Sequence, residues 1–181
     1  MAGLLATIIG RNLIPLGLSS NLEPNNGSGR VSVRPFGYEV SFPSDLKVES
    51  GQQIVDLVIP FGYFRTSAIK EAEIELSPGA KKCDSFSNHI KQRQKMMING
   101  MEFERHVWSG EAAGNIFQGV DYNLLKDGLC YQVRLYTHSV GAGSLPAAVA
   151  KDPASVHYED MERVFVLADG IASSFRFTNF K

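Results

Sequence analysis

Four histidines are the side chains best suited to acid–base chemistry in this sequence: His89, His106, His138 and His157. A histidine activates a nucleophile when a hydroxyl or thiol lies within reach and a carboxylate such as Asp121 or Asp127 orients the ring. No nucleophile motif accompanies any of the four, and residues 139–143 lack the G-x-S-x-G pattern. The sequence therefore predicts a non-enzymatic protein without catalytic residues, and a hydrolase that uses one of these histidines is the weaker alternative.

The two cysteines, Cys83 and Cys130, allow two interpretations. Two buried free thiols would be ordinary, because cysteine packs as a small apolar residue. One disulfide would instead imply an oxidising compartment. The spacing excludes a C-x-x-C redox motif, and two cysteines without histidines at ligand spacing do not make a zinc site.

Charged residues cluster at two places without a ligand motif. Glutamates alternate with apolar residues at Glu71, Glu73 and Glu75, which predicts a solvated strand face and not a metal site. Lysines and arginines concentrate in residues 81–95, where no glycine-rich phosphate loop occurs. With a net charge of −1 and a pI near 6.4, the chain has no basic excess for nucleic acid. We predict no metal, no cofactor and no nucleic-acid partner.

These residues must be positioned by a hairpin that closes at Asp127-Gly128, a pair that tolerates the positive φ of a two-residue turn. That turn sets apolar pairs on one face: Leu124 with Tyr131, Tyr122 with Val133, and Val120 with Leu135. On the other face it sets Leu125 with Cys130, Asn123 with Gln132, Asp121 with Arg134, and Gly119 with Tyr136. The opposite charges of Asp121 and Arg134 favour this register by roughly 0.2–1 kcal/mol.

Other strands and two helices follow from the spacing of apolar residues. Period-two alternation predicts strands at residues 38–42, 54–59, 71–76 and 101–108, and a loop at residues 109–115. Helical spacing predicts helices at residues 84–98 and 159–175, with acidic residues in the first turn of the second helix. Gly170 costs that helix roughly 1 kcal/mol against alanine, so we expect it to permit a close approach to the sheet.

The N-terminal residues 1–30 are predicted to be a separate segment and linker, and residues 31–181 a single domain. Residues 2–18 are rich in leucine and isoleucine but contain Arg11, and residues 23–29 are a cluster of turn-forming residues. The apolar stretch is compatible with a trimmed leader, an amphipathic helix or an edge strand. Any association with a membrane is expected only through this segment.

The order of several motifs resembles the Mog1/PsbP-like superfamily, and within it uncharacterised bacterial secreted proteins and lipoproteins. The resemblance extends over residues 36–178 and rests on the motifs at residues 38–44, 97–103, 128–131 and 174–177 together with the segment that carries Cys83. It implies an α+β fold in which helices flank an antiparallel sheet on both faces, an α/β/α sandwich. It also implies a Cys83–Cys130 disulfide.

The resemblance further implies an extracytoplasmic protein, in the periplasm or cell envelope, that binds or helps to assemble a protein partner. No site motif of the superfamily matches here, so no functional residue is carried over. The candidate partner face lies on one side of the hairpin and its neighbouring strand, where aromatic and arginine side chains could anchor an interface: His106, Trp108, Arg134, Tyr136 and His138. The alternative is a small-ligand or lipid carrier, with the ligand between helix and sheet.

Overall fold

The structure, a computed structural model, describes residues 28–33, 37–50, 54–65, 68–80, 83, 89–141 and 153–178. Seven strands form a large antiparallel sheet: β3 (Lys47–Ser50), β4 (Val55–Val58), β5 (Ile69–Ala80), β6 (Ile90–Ile98), β7 (Met101–Ala112), β8 (Asn115–Lys126) and β9 (Leu129–Val140). Their order across the sheet is β3-β4-β5-β9-β8-β7-β6. A small sheet has the order β1-β2-β10 and comprises β1 (Ser28–Val33), β2 (Tyr38–Pro43) and β10 (Arg176–Phe177). One long helix, α1 (Pro153–Ser173), and a one-turn 3-10 helix at Phe61–Tyr63 complete the described elements.

The predicted hairpin is confirmed in every pair. Asp127 and Gly128 have φ values of 53° and 74°, and the strands pair from Lys126 with Leu129 to Asn115 with Val140. Tyr122, Val133 and Leu135 are fully buried in the core. The sequence therefore fixes both the turn and the face of β8 and β9 that points inward.

The helix predicted at residues 84–98 is wrong for its second half, which is the edge strand β6; residues 84–88 lie outside the described residues. Residues 91–95 are exposed on both faces of the strand, so the sequence here does not need the alternation of apolar and polar residues that marks a half-buried strand. Backbone pairing with β7 across the Asn99-Gly100 turn determines the strand instead.

The loop predicted at residues 109–115 is also wrong, because β7 and β8 continue into a second tight hairpin. Ala113 and Gly114 have φ values of 50° and 77°, and Asn115 Nδ2 donates to the Ala112 and Ala113 carbonyls at 3.3 Å. Alanine seldom adopts positive φ, so the residue types gave no hairpin signal.

Helix α1 packs on the inner face of the large sheet, as predicted. Val164, Ala168 and Ile171 of α1, and Phe175 just after its end, are at most 1% exposed and belong to one core that also contains the inward side chains of both sheets. The helix begins at Pro153, where a residue without an N–H is favoured, so the acidic residues from Glu159 onward are not in its first turn.

The expected role of Gly170 in α1 is wrong as well. Gly170 is exposed, and apart from its chain neighbours and the adjacent backbone of α1 no heavy atom of the described chain lies within 4 Å of the position that a Cβ would occupy. The glycine therefore does not serve a close approach to the sheet.

The predicted α/β/α sandwich is wrong. Among the described residues the fold is mostly β, with two antiparallel sheets and a single long helix on one face of the larger sheet. The second helix of the sandwich was to come from residues 84–98, and the described part of that segment is a strand.

Strand β1 begins at Ser28, three residues before the predicted start of the domain at residue 31. The predicted N-terminal stretch, residues 2–18, lies outside the described residues, and the division into a segment and one domain stays a prediction. Within the described chain, no helix combines the length and apolar character needed to cross a membrane.

Candidate functional site

The five residues predicted as a partner face do share one side of the large sheet, the side opposite α1, which we call the outer face. Their exposure differs. Trp108 and His106 are buried, at 1% and 6% exposure, while Arg134, Tyr136 and His138 are partly exposed. The predicted surface is therefore smaller than expected.

A buried carboxylate organises the centre of the outer face. Asp121 is fully buried and accepts hydrogen bonds from Trp108 Nε1 at 3.2 Å and from Arg134 Nε at 3.0 Å. A buried carboxylate is stable only when it is paired in this way. Trp108 and Arg134 thus have a structural role, and the predicted Asp121–Arg134 pair is confirmed.

An aromatic cluster occupies the adjoining part of the outer face. The Phe117 ring stacks on His138 at a centroid distance of 4.9 Å and lies 6.3 Å from Tyr136. His138 Nε2 is 2.9 Å from Asn115 Oδ1. Phe117 was not among the predicted residues, because it lies at the end of β8 far from the Asp127-Gly128 turn from which the face was predicted.

The glutamate row of β5 borders this cluster. Glu71 is exposed, whereas Glu73 and Glu75 are half-buried beside Asp56 on β4. Burial, together with neighbouring carboxylates, raises the pKa of Glu73 and of Asp56. In the described part of the chain, no three or more histidine, cysteine or acidic side chains are placed to hold a metal ion.

A cleft of about 630 Å³ lies on the opposite, inner side of the sheet, beneath the N-terminal half of α1. Part of its lining, Glu111, Ile116 and Val140, comes from the ends of the twelve-residue strands β7, β8 and β9 near the Ala113-Gly114 turn. The wall formed by the sheet consists of Ala68, Gln92, Arg105, Val107, Glu111, Ile116, Gln118 and Val140. The helix contributes His157, Tyr158, Met161, Glu162 and Phe165.

Arg105 is the charged side chain that the fold places at the inner end of this cleft. Its Nε donates to Asp169 Oδ1 on α1 at 3.1 Å, and its guanidinium carbon lies 5.7 Å from the centre of the Tyr122 ring. Tyr122 OH also donates to Asp169 Oδ1. Burial and the Asp169 carboxylate raise the pKa of Tyr122, so its phenol keeps the proton that it donates.

His157 is the histidine that lines the cleft. Burial lowers its pKa and the charge of Asp160 only partly opposes this, so the imidazole is neutral at pH 7. Its Nδ1 is buried without a hydrogen-bond partner. The sequence predicts His157 only as a possible base, because Arg105 lies 52 positions away in a different element and shares no local pattern with it.

The disulfide that the resemblance implied is confirmed: Cys83 is bonded to Cys130 on β9. Cys130 lies on the outer face, opposite Leu125 of β8. A disulfide of this kind indicates an oxidising, extracytoplasmic environment.

No protein-family model matches this chain, and a search of curated proteins finds no significantly similar sequence. Membership of the Mog1/PsbP-like superfamily therefore stays a prediction.

Proposed function

We propose that this chain is a non-enzymatic binding protein of the periplasm or cell envelope, and that it holds a small, largely apolar ligand in the cleft beneath α1. The observation that carries the proposal is the cleft itself. Its volume of about 630 Å³ lies within the range of roughly 300–1,000 Å³ that is typical of small-molecule sites.

The chemistry of the walls supports the same conclusion. Val107, Ile116, Val140, Met161 and Phe165 provide apolar surface, and a few polar side chains stand between them. Binding sites for small molecules combine a mainly apolar lining with a few polar groups that orient the ligand.

A non-catalytic role fits the histidine of the cleft better than hydrolysis does. A third group that orients the ring is a signature of a catalytic histidine, and among the described residues His157 Nδ1 has no such hydrogen bond. We therefore propose binding and not turnover.

The test uses a neutral fluorescent probe, N-phenyl-1-naphthylamine, whose emission rises in apolar surroundings. We expect saturable binding with one probe per chain. Ile116→Trp should abolish it by filling the cleft, whereas Phe117→Trp, the next residue along β8 and on the outer face, should not. Equal binding by both variants, or equal loss in both, would exclude the cleft as the site.

A second candidate function, binding of a protein partner, is favoured by the aromatic cluster on the outer face. Phe117, Tyr136 and His138 are each partly exposed and lie side by side. Aromatic side chains are frequent anchors of protein interfaces. Partner capture from an envelope extract should decrease for the double variant Phe117→Ala with Tyr136→Ala and persist for Leu125→Ala, an exposed apolar control; unchanged capture by the double variant would contradict this candidate.

A further inference from the structure

Arg105 is an unusual residue for its position. It lies on the inward face of β7 between Phe103 and Val107, and only 15% of its side chain is exposed. A guanidinium removed from water must be matched by an anion or by several hydrogen-bond acceptors. Arg105 therefore needs an anion or hydrogen-bond acceptors on the inner side of the sheet.

The protein supplies part of that match. Arg105 Nε bonds to Asp169, and Tyr122 lies against the guanidinium. A guanidinium has five N–H donors, and its two terminal nitrogens are arranged to bind both oxygens of a carboxylate. Asp169 accepts hydrogen bonds from Arg105 Nε and from the Tyr122 hydroxyl. Other N–H donors of Arg105 therefore remain available to a group inside the cleft, which the Arg105 side chain lines.

We propose that the ligand of the cleft is a singly charged anionic amphiphile, such as a medium-chain carboxylate, whose head group binds Arg105 and whose apolar body lies along Ile116, Val140 and Phe165. This proposal rests on the proposed function and specifies its ligand class. A carboxylate pairs its charge with the guanidinium and can accept two parallel hydrogen bonds from it, whereas an alcohol oxygen is neutral and lacks the matching fork, which favours a carboxylate at this position.

Two rim residues favour a single charge on the ligand. Glu111 and Glu162 both line the cleft and are exposed to solvent. Their charges are screened by water and salt, but they would repel a doubly charged head such as a phosphate more strongly than a carboxylate. Among anions, the two glutamates therefore favour those that carry a single charge.

The experiment is competition against the bound N-phenyl-1-naphthylamine by octanoate, 1-octanol and octylamine at constant ionic strength. Octanoate should displace the probe at a concentration about tenfold lower than octanol, the ratio expected when a ligand gains one further hydrogen bond to the guanidinium. Octylamine, whose ammonium cannot accept a hydrogen bond from Arg105, should compete less well than octanoate. Arg105→Gln should remove the difference between octanoate and octanol, with near-UV circular dichroism as the check that the variant is folded.

A second variant keeps the test decisive if Arg105→Gln does not fold. Asp169→Asn removes the competing carboxylate but retains Arg105, so octanoate should bind more tightly while octanol is unaffected. Loss of the octanoate preference in Asp169→Asn would contradict the proposal. Equal competition by octanoate and octanol in the unmodified protein would overturn the anionic assignment and leave the binding function intact, whereas failure of the probe to bind would overturn both.

Discussion

At the scale of single residues, close packing on the outer face depends on the absence of one side chain. A Cβ on Gly119 would lie 2.0 Å from the Leu135 carbonyl oxygen and 2.5 Å from the Trp108 ring. Glycine is therefore required where the indole of Trp108 crosses β8 to reach Asp121. Gly170, in contrast, has open space around it.

These two glycines give a matched pair of predictions. Gly119→Ala should destabilise the protein by at least about 2 kcal/mol, because the backbone of β9 cannot move away from the new methyl group. Gly170→Ala should stabilise it by about 0.5–1 kcal/mol, since alanine is the better helix former. Urea unfolding followed by circular dichroism measures both changes, and a stable Gly119→Ala variant would contradict the described packing of Trp108.

The acidic residues of β4 and β5 make stability depend on pH. Because the pKa of Glu73 is raised by burial and by nearby carboxylates, the folded state binds this proton more tightly than the unfolded state. Protonated Glu73 therefore contributes to the stability of the folded state. This contribution is complete below the pKa of the unfolded chain, about 4.3, and is lost as the pH rises through the raised pKa of the folded state.

Glu73→Gln should therefore raise the melting temperature at pH 7 and have little effect at pH 3.5. Melting curves of the variant and the unmodified protein at the two pH values measure the difference. Glu111→Gln at the exposed tip of a hairpin is the control and should change neither curve. A melting temperature that Glu73→Gln leaves unchanged at pH 7 would show that repulsion on this face is negligible.

At the scale of elements, α1 is fixed at the C-terminal end by the β6–β7 turn. Asn99 has a φ of 48° and its Nδ2 donates to the carbonyls of Phe175 and Ser173 at 2.8 and 3.3 Å. Nearer the other end, the buried Asp160 carboxylate accepts the Arg65 backbone N–H at 2.8 Å. The helix that forms one wall of the cleft is thus attached to two separate loops.

Substitutions at Asn99 separate backbone conformation from hydrogen bonding. Asn99→Ala should cost about 2 kcal/mol, because alanine is strained at positive φ and the two hydrogen bonds are lost. Asn99→Gly should cost about half as much, since glycine tolerates the conformation. Equal losses in denaturant unfolding would indicate that the hydrogen bonds alone matter.

The disulfide joins β9 to a segment 47 residues earlier in the chain. In the chain-entropy view, closing a loop of this length stabilises the folded state by about 4 kcal/mol. Cys83→Ser with Cys130→Ser should lower the melting temperature by roughly 10 °C, measured by scanning calorimetry without reductant. An unchanged melting temperature would show that the unfolded chain gains no freedom when the bridge is removed.

Local sequence patterns predicted the elements that have one buried and one exposed face. The Asp127-Gly128 hairpin and the inward face of α1 are correct because turn chemistry and core packing act on the same residues. Strand β6 was missed because residues 91–95 are exposed on both of its faces, and the Ala113-Gly114 turn because alanine does not signal positive φ. Arg105 could be recognised in the sequence as an arginine on an apolar strand face, but its contact with α1 depends on tertiary packing.

At the scale of the whole molecule, the two faces of the large sheet differ in chemistry. On the inner face, α1 covers the apolar core, and beyond it the long strands leave the cleft that contains Arg105. The outer face carries a row of ionisable residues that pair across all seven strands: Glu49, Asp56, Glu75, Arg134, Asp121, His106 and Arg93. The proposed ligand would therefore contact the inner face, and the ionisable row lies on the opposite side of the sheet.

The most direct measurement is a two-dimensional amide NMR titration of the ¹⁵N-labelled protein with N-phenyl-1-naphthylamine. Binding in the cleft predicts shifts concentrated at Val107, Ile116, Val140, His157 and Phe165, with outer-face neighbours such as Phe117 and Tyr136 changed far less. Shifts centred on the outer face, or none at saturating probe, would contradict the assignment of the cleft as the binding site.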